Sequence, residues 1–399
     1  MKTVLFVGAG RHQRRAILQA RERGLRVVAI DRNADAPGLV LANVAEVVDF
    51  ADVEAAVRVA RTHAVDGVLT VSADRAVPVV AAVAEALALP GIGVEVAVRM
   101  THKRAMREAL AAAGVPQPGF ACVRTGETPP SGLPFPVVAK PVDSGGQRGV
   151  VRVAAADGLD AALAEALAAS TSGEAIVEAF VDGVELNGIV IVREGRPETL
   201  TLSDRLRPEG AGFGVGWIHR YPCSLTGEAL ARAGRVAEDA VRALGLRDGI
   251  AFPQLIASPD GEVVVVEVAA RIPGGQMADL VRHATGVDLV EIALRQSLGE
   301  EVPDTVAHAR FVQPLAIRFL TARPGPLPVG EVVSVGPLDP VLACEGVVQA
   351  ETYLQVGETI RPVRLDGDRR GYVLAVGDTA DEALARAEAA AARLEVTVA

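Results

Sequence analysis

The sequence predicts an α/β protein in which a doubly wound parallel sheet precedes a series of antiparallel strand pairs. Apolar segments typical of strands alternate with helical segments over the first hundred residues, with strands expected at residues 3–7, 25–30 and 65–70. Such alternation favours a parallel sheet covered by helices. Further apolar segments are separated by glycine-containing turns, at residues 135–140 and 150–153, 175–181 and 185–192, and 251–257 and 262–268. Each of these pairs predicts an antiparallel hairpin.

The remaining elements follow from helix signals and composition. Thr101 is expected to cap a helix that runs to Ala113 and stops at Gly114. Residues 228–244 predict a helix, and residues 330–371, which are rich in Val, Gly and Pro, predict short strands. Thr379 and Glu382 form a capping box that opens an Ala-rich final helix.

The composition is typical of a compact protein of two to three domains. The chain has 399 residues, of which 50% are hydrophobic and 23% charged. A net charge of −10 disfavours nucleic acid and anionic membranes as partners. The three cysteines form no CxxC pair, so neither a disulfide framework nor a zinc site is indicated. The first apolar run reaches Gly8 too early for a signal peptide, and no apolar stretch spans a bilayer, so we expect a cytoplasmic protein.

A glycine turn near the N-terminus contains part of a dinucleotide-binding fingerprint. Gly8 and Gly10 follow a strand and open a helix, and Asp31 ends the next strand. Gln13 stands where the fingerprint requires a small third residue. Two interpretations stay open: a nucleotide site, or a tight turn in a Rossmann-like domain that binds another ligand or none.

Lysine is rare in this chain, and two of the three lysines lie in segments with other phosphate-binding features. Lys2, Lys103 and Lys140 are the only lysines among forty basic residues. A lysine ammonium is a compact charge that fits among phosphate oxygens, whereas arginine presents a rigid planar fork. Lys103 lies in the first turn of a predicted helix, and Lys140 ends a predicted strand.

A glycine-rich loop follows Lys140 directly and predicts an anion-binding turn. Its candidate contacts are Gly145, Gly146, Gln147 and Gly149. Glycine has no Cβ, so the backbone N–H groups of such a loop can closely approach phosphate oxygens. Taken alone, the loop is equally consistent with an ordinary flexible hairpin.

An acidic segment then predicts an edge that binds a nucleoside. Glu178, Ala179, Phe180 and Val181 end an apolar strand, and Glu185 follows seven residues after Glu178. A strand edge offers a backbone C=O and N–H to adenine, and a nearby carboxylate can accept from ribose hydroxyls. The alternative is a plain hairpin with exposed acids at Asp182 and Glu185.

Two oxygen-bearing side chains predict a magnesium site. Gln254 and Glu267 lie on strands joined by the Asp260-Gly261 turn, so their side chains can converge. Magnesium takes few protein ligands and keeps water or phosphate oxygens for the rest. Arg271 follows four residues after Glu267, where a guanidinium can clamp a transferring phosphoryl group. The alternative is a surface acid with Arg271 as its ion-pair partner.

The order and spacing of these motifs resemble the ATP-grasp superfamily over about residues 1–300. The resemblance implies a Rossmann-like pre-ATP-grasp domain (1–98), an ATP-grasp domain (99–300) with an antiparallel lid (about 114–181), and a C-terminal β-rich region (301–399). It implies that ATP contacts Lys103, Lys140, the glycine loop and the 178–181 segment, the last mainly through the backbones of Ala179 and Val181. It also assigns Glu185 to the ribose, Gln254 and Glu267 to Mg²⁺ or Mn²⁺, and Arg271 to the arginine of the Glu-x-Asn-x-Arg signature.

Two positions depart from that pattern. Gln254 is neutral where many members carry an acid, and Ala269 replaces the metal-binding Asn of the signature, so a second metal should be held weakly. The tail, at residues 353–359 and 370–379, resembles that of L-amino-acid ligases and related carboxylate–amine ligases. No bicarbonate- or biotin-binding signature follows the predicted strand that contains Glu267.

The resemblance implies an ATP-dependent ligase that joins a small carboxylate to an amine, with amino acids as the expected substrates. The carboxylate would attack the γ-phosphate to give an acyl phosphate and ADP, and the amine would then displace phosphate. Lys140 and Arg271 would stabilise the developing charge together with the metal. Arg205 is a further candidate contact to phosphate or carboxylate, and a homodimer is the expected assembly.

Three other functions stay open at this stage. An enzyme like biotin carboxylase or carbamoyl phosphate synthase would release ADP in response to bicarbonate. An NAD-dependent oxidoreductase built on Gly8, Gly10 and Asp31 would give no purpose to Lys140 and Glu267. A nucleotide-sensing module without turnover is consistent with Ala269.

Overall fold

A computed structural model describes residues 1–127, 132–208 and 214–399, and it contains four sheets with helices packed on them. The predicted lid, about residues 114–181, includes residues 128–131, which lie outside these ranges. Within the described residues, no helix is long and apolar enough to cross a membrane.

The first sheet is parallel, as the alternation of strands and helices predicted. Its region contains β1 (Thr3–Val7), α1 (Arg14–Glu22), β2 (Arg26–Asp31), β3 (Val44–Val47), α2 (Val53–Thr62), β4 (Gly67–Leu69), α3 (Val77–Ala86) and α4 (Val94–Arg99). The strand order is β3-β2-β1-β4. Alternate residues of β1 face opposite sides: Val4 and Phe6 pack with α1, while Leu5 and Val7 pack with α2 and α3. Burial on both faces explains why this strand is entirely apolar.

A small antiparallel sheet follows, with strand order β5-β8-β6-β7. Its region contains α5 (Lys103–Ala112), β5 (Phe120–Arg124), β6 (Val137–Pro141), β7 (Val151–Val153), α6 (Leu159–Ala169) and β8 (Glu174–Ala179). The predicted pairing of residues 135–140 with 150–153 is confirmed by the antiparallel contact of β6 and β7. The cap predicted at Thr101 is wrong. His102 occupies the N-cap position, and the Thr101 hydroxyl donates to the carbonyl of Ala97 in the preceding helix (2.7 Å).

A large antiparallel sheet forms the centre of the molecule. Its first part contains β9 (Val184–Arg193), β10 (Arg196–Leu206), β11 (Ile218–Tyr221), α7 (Gly227–Leu244), β12 (Gly249–Ala257), β13 (Val263–Ala269), α8 (Met277–Thr285), α9 (Leu289–Ser297) and α10 (Asp304–Ala307). One face packs against α7, and the other shares a core with α1, α8 and α9. This shared core ties the parallel sheet to the large sheet.

The hairpin predicted from residues 175–181 and 185–192 does not form. The first segment is β8 of the small sheet, and the second is β9 of the large sheet, where it pairs with β10 and β12. Both segments are apolar strands, but each finds its partners elsewhere. The chain therefore crosses from one sheet to the other at Phe180–Gly183, and the predicted nucleoside-binding edge lies at that crossing.

The C-terminal region extends the large sheet and adds a three-stranded sheet of order β17-β15-β19. Its elements are β14 (Leu315–Phe319), β15 (Gly330–Val335), α11 (Asp339–Leu342), β16 (Val347–Thr352), β17 (Thr359–Ile360), β18 (Gly371–Val376), α12 (Ala380–Ala391) and β19 (Val396–Val398). The final helix begins as predicted, because the Thr379 hydroxyl accepts from the Glu382 N–H (3.1 Å).

The end of β4 lies against the segment that follows β13. Val71 forms a parallel bridge with Ile272, and the N–H of Ser72 donates to the carbonyl of Ile272 (2.9 Å). The carboxyl edge of a parallel sheet is where such folds place ligands. Here that edge meets the segment that contains Arg271, directly after the strand that bears Glu267.

Candidate active site

Lys103 joins three predicted parts of the site. It begins α5 and is buried. Its Nζ donates to the carbonyl of Ser144 in the glycine loop (2.8 Å) and lies 3.3 Å from Oε1 of Glu267. The ammonium group of Lys103 therefore contacts both the glycine loop and β13, the strand that carries the predicted metal ligand Glu267.

Lys140 lies in a buried ion-pair cluster on the small sheet. Its Nζ is 2.7 Å from Oε2 of Glu178 on the neighbouring strand. The other oxygen of Glu178 accepts from Nε of Arg107 (2.8 Å). Arg107 also donates to the carbonyls of Val265 and Val266 on β13, at 2.9 and 2.6 Å. The cluster of Arg107, Lys140 and Glu178 therefore connects the small sheet to the large one.

The cluster fixes the charge of Glu178. Burial opposes ionisation of the carboxyl group, but Arg107 and Lys140 outweigh it and hold the pKa of Glu178 at about 2. Burial lowers the pKa of the Lys140 ammonium, with Arg107 and Lys103 adding to that effect. Lys103 and Glu267 both act on Lys140, so the two lysines and the metal strand lie in one electrostatic neighbourhood.

The ionisation of Glu178 predicts acid sensitivity. Because folding lowers its pKa from 4.5 to about 2, the carboxylate stabilises the fold above pH 4.5, and that contribution is lost as the pH falls towards 2. We expect Glu178→Gln to lower the free energy of unfolding at pH 7 and to differ less from the wild type at pH 3, measured by urea denaturation. The exposed Glu228, in α7, provides the control Glu228→Gln, for which no difference is expected at either pH. A Glu178→Gln deficit that stays constant between pH 7 and 3 would contradict this assignment.

Residues 178–181 form the hinge between the small and the large sheet. The N–H of Ala179 donates to the carbonyl of Gly119 (2.8 Å), and that of Phe180 donates to the carbonyl of Pro136 (3.0 Å). Within the described ranges, the N–H of Val181 donates to no other group. A free N–H at Val181, two residues beyond Ala179, is the donor that an adenine ring nitrogen requires.

Glu185 and Arg205, both predicted site residues, are bound to each other. Glu185 lies on β9, and its carboxylate contacts Nη1 of Arg205 (2.7 Å) and the guanidinium of Arg207. Arg205 also donates to the carbonyl of Gly214. In this state the carboxylate assigned to the ribose is neutralised by Arg205, on β10, and by Arg207, which follows that strand.

Gln254 and Glu267 face each other directly across β12 and β13. Both side chains are partly exposed to the same cavity, and among the described residues the Gln254 amide has no hydrogen-bond partner. No cluster of three or more His, Cys, Asp or Glu side chains suited to a metal occurs in the described ranges. One carboxylate and one free amide oxygen suit magnesium bound largely through water and phosphate oxygens. The residues therefore fit the predicted metal.

Arg271 is held by a residue that the sequence motifs did not predict. Its Nε and Nη2 donate to Oδ1 and Oδ2 of Asp74, at 2.6 and 2.8 Å, in a bidentate pair. Asp74 follows β4, and although burial opposes it, Arg271 lowers the pKa of this carboxyl. The proposed alternative pairing of Arg271 with Glu267 is therefore wrong, because Glu267 pairs with Lys103. A Cβ on Gly145 would lie 3.2 Å from Oδ2 of Asp74, so the glycine loop reaches the same pair.

A cavity of about 340 Å³ brings most of the predicted catalytic and metal residues together. The predicted residues that line it are Gly145, Gly146, Gln147, Arg205, Gln254, Glu267 and Arg271. Gly149 instead packs on α6, where a Cβ would lie 2.6 Å from the Cβ of Ala169. We refer to this space as the reaction cavity.

The far wall of the reaction cavity contains a neutral histidine and a partly buried arginine. Burial, together with Arg369 and Arg205, lowers the pKa of His219 well below its ordinary value. The amide of Asn187 donates to Nδ1 of His219 (3.0 Å), which places the ring hydrogen on Nε2, close to Gly275 at the cavity wall. Arg369 stacks on the ring of Phe319 at 4.1 Å and ion-pairs with Asp366 (2.8 Å). The wall can therefore donate hydrogen bonds to an oxyanion.

Sequence reasoning missed several of these residues. Arg107 lies one helical turn after Lys103, which indicates a shared helix face. Asp74 follows a parallel strand, where ligand-binding side chains gather. Asn187 and Arg369 carry no local signal, because their partners are distant in sequence. Asn187 contacts His219, 32 residues away, and Arg369 donates to the carbonyl of Gly216, 153 residues away.

The N-terminal glycine turn is occupied by the protein itself. Both carboxylate oxygens of Asp31 accept from backbone N–H groups, those of Ala9 (2.8 Å) and Asn33 (2.9 Å). The Gln13 amide fills the turn and donates to the carbonyl of Val71. This arrangement favours the interpretation of a structural turn over a dinucleotide site.

Two family models match separate parts of the chain. The model described as D-ala D-ala ligase C-terminus matches residues 110–284. The model described as L-amino acid ligase C-terminal domain 2 matches residues 318–399. The first covers the small sheet and the metal strand, and the second covers the region of Tyr353 and Arg369.

Similar proteins extend over nearly the whole chain. A formate-dependent phosphoribosylglycinamide formyltransferase of Synechococcus sp. (strain CC9605) is 29% identical over 405 residues, covering 99% of this chain and 97% of the relative. The crystal structure of L-amino acid ligase from Bacillus licheniformis has a TM-score of 0.86 at 24% identity and covers 100% and 99% of the two chains. The biotin carboxylase domain dimer of the Hydrogenobacter thermophilus 2-oxoglutarate carboxylase, solved with MgADP, ADP and bicarbonate, has a TM-score of 0.77 at 19% identity. It covers 99% of this chain and 90% of that chain.

Proposed function

Since this chain is a member of the ATP-grasp superfamily of carboxylate–amine ligases, we propose that it joins two amino acids through an acyl phosphate. The observation on which this proposal rests is that Glu267, Arg271 and the glycine loop line one cavity, while Lys103 contacts both Glu267 and the loop. Phosphoryl transfer requires positioning and charge stabilisation more than covalent help from side chains. These residues supply both.

The nucleotide is proposed to lie at the crossing between the small and large sheets. The carbonyl of Ala179 and the N–H of Val181 would bind adenine beside Phe180, and Glu185 would bind the ribose after exchanging Arg205 and Arg207 for hydroxyl groups. Lys103, Lys140 and the N–H groups of Gly145 and Gly146 would contact the phosphates. In the present state each of these cations is paired with an acid, since buried charges require partners. The triphosphate would take over some of those pairings.

Magnesium would be held by Glu267 and Gln254, and when bound it supplies positive charge to the β- and γ-phosphate oxygens. In the proposed reaction a carboxylate oxygen of the acid attacks the γ-phosphorus, and the bond between the γ-phosphorus and the oxygen that bridges it to the β-phosphorus breaks. The products are an acyl phosphate and ADP. The amine nitrogen then attacks the acyl carbon, the bond to the phosphate oxygen breaks, and the nitrogen loses a proton. Lys140, Arg271 and Arg205 are proposed to stabilise the charge that develops on oxygen.

The matches to the L-amino acid ligase C-terminal model and to the Bacillus licheniformis structure favour an amino acid as the acid. A second candidate is the ligation of formate to a phosphorylated amine, which the identity to the Synechococcus relative along the whole chain favours.

An ADP-release screen tests the proposal. The purified protein is supplied with ATP, Mg²⁺ and single acids from three groups, namely amino acids, formate and bicarbonate, with hydroxylamine present to trap an acyl phosphate as a hydroxamate. We expect ADP release and hydroxamate with amino acids, and a variant Lys140→Met is the blank. Stimulation by formate alone would favour the second candidate, and stimulation by bicarbonate alone would favour a carboxylase.

The assembly is a separate prediction. The Hydrogenobacter domain is named as a dimer, and light scattering of the purified protein tests whether this chain also forms a homodimer.

A further inference from the structure

We infer that the amine substrate carries an anionic group and that Arg11 binds this group in a second compartment of the site. This inference rests on the proposed ligase function and adds the place and chemical class of the second substrate. A cavity of about 320 Å³ adjoins the reaction cavity, and we refer to it as the acceptor compartment. The two spaces share part of their walls, formed by Arg11, His12, Ser72, Gly274, Gln276 and Tyr353.

The walls of the acceptor compartment are rich in arginine. They include residues of α1, α8, β16 and the turn before α1. Among the described residues they contain three arginines, Arg11, Arg14 and Arg15, but only two carboxylates, Asp279 and Glu351. Arg15 is bound to Asp279, and Arg14 lies 3.9 Å from Glu351. Both carboxylates are therefore already paired with an arginine. Among the described residues, Arg11 is the arginine of this wall that has no acidic partner.

Arg11 is oriented without being neutralised. Its guanidinium lies over the ring of Tyr353, with the central carbon 4.3 Å from the ring centroid. Within the described ranges it makes no hydrogen bond or ion pair. An aromatic ring holds the flat face of a guanidinium and leaves its N–H edge free. That edge is a donor array suited to a carboxylate or a phosphate.

Tyr353 adds a second donor at the same place. Gln276 donates its amide N–H to the Tyr353 hydroxyl (3.0 Å), so the hydroxyl proton is free to donate elsewhere. Burial raises the pKa of Tyr353 to about 12, so the phenol keeps this proton at neutral pH. Arg11 and Tyr353 thus offer a positive charge and a hydroxyl donor side by side at the junction of the two spaces.

The location suits an acceptor. A molecule anchored by its anion at Arg11 extends from the acceptor compartment towards Arg271 and Glu267, where the acyl phosphate is proposed to form. The hinge residues 178–181 line neither space in the described part of the chain, so such a molecule does not cross the nucleotide. The anion is either the carboxylate of an amino acid or the phosphate of a phosphorylated amine.

The test compares acceptors that differ only in the anion. Binding of L-alanine against L-alaninamide, and of 2-aminoethyl phosphate against ethanolamine, is measured by calorimetry with MgADP present. We expect the wild type to bind the anionic member of at least one pair about 10- to 100-fold more tightly. Arg11→Gln should reduce that preference to within about twofold. The pair with the larger preference identifies carboxylate or phosphate as the natural anion.

Matched controls separate Arg11 from general effects. Arg21→Gln alters an arginine of α1, the helix that follows Arg11. Arg21 donates to the carbonyl of Leu41 outside both spaces, so its replacement should leave every affinity unchanged. Arg11→Gln should raise the KM for the amine while leaving thermal stability unchanged. A wild type that shows no anion preference, or an Arg11→Gln variant that keeps it, would overturn the inference. Absence of hydroxamate with every acid, with Arg11-dependent binding intact, would instead defeat the proposed ligase function.

Discussion

Replacing Glu267 with glutamine is expected to lower the rate of ADP release by about 10²–10³-fold, the typical cost of removing one charge contact to a transition state. Glu267 is the carboxylate of the proposed metal pair, since its partner across the strands, Gln254, is neutral. It also contacts Lys103, which binds the glycine loop. The substitution therefore weakens magnesium and disturbs a proposed phosphate contact while keeping the shape of the side chain.

The measurement is kcat/KM for ADP release as a function of magnesium concentration. The Glu267→Gln variant should require more magnesium for half-maximal rate, because only neutral oxygens remain as protein ligands. Glu262→Gln is the matched control, since Glu262 stands at the exposed turn before the same strand and only approaches Arg232 at 4.0 Å. Wild-type turnover with unchanged magnesium dependence would remove Glu267 from the metal site.

Replacing Arg107 with methionine is expected to lower the free energy of unfolding by about 3–5 kcal/mol, the typical effect of breaking a buried ion pair. Arg107 is 1% exposed and touches no cavity described above. Its loss leaves Glu178 with Lys140 as its remaining cation. It also leaves the carbonyls of Val265 and Val266 without this donor, and unpaired buried carbonyls are costly.

Urea denaturation at neutral pH measures the effect. Arg58→Met is the control, because its side chain is 66% exposed and lies 3.9 Å from Glu54, and a change within about 0.5 kcal/mol is expected. Arg107→Lys keeps a charge but not the planar fork, so it should fall between the two. A loss below about 1 kcal/mol in Arg107→Met would show that the cluster does not link the two sheets as the contacts indicate.

Much of the fold could be predicted because its signals are local. The parallel N-terminal sheet follows from alternating strands and helices, and the β12–β13 pair follows from apolar segments around the Asp260-Gly261 turn. The strands with which β8 and β9 pair could not be predicted. Both are apolar strands separated by a short turn, and a neighbour in sequence is the usual partner. Each instead pairs within a different sheet, so the turn becomes a crossing.

The sequence by itself determined which residue types were present and in what order: two lysines, a glycine loop, a hinge with two acids, and a strand pair with Gln254 and Glu267. Only the tertiary structure decided which charges neutralise one another. Arg271 pairs with Asp74, 197 residues away, and Arg107 pairs with Glu178, 71 residues away. A buried charge takes whichever opposite charge the packing of the sheets brings within contact, and that proximity is not written in local spacing. The same packing places Arg11 over the ring of Tyr353, in the wall of the acceptor compartment, without an acidic partner among the described residues.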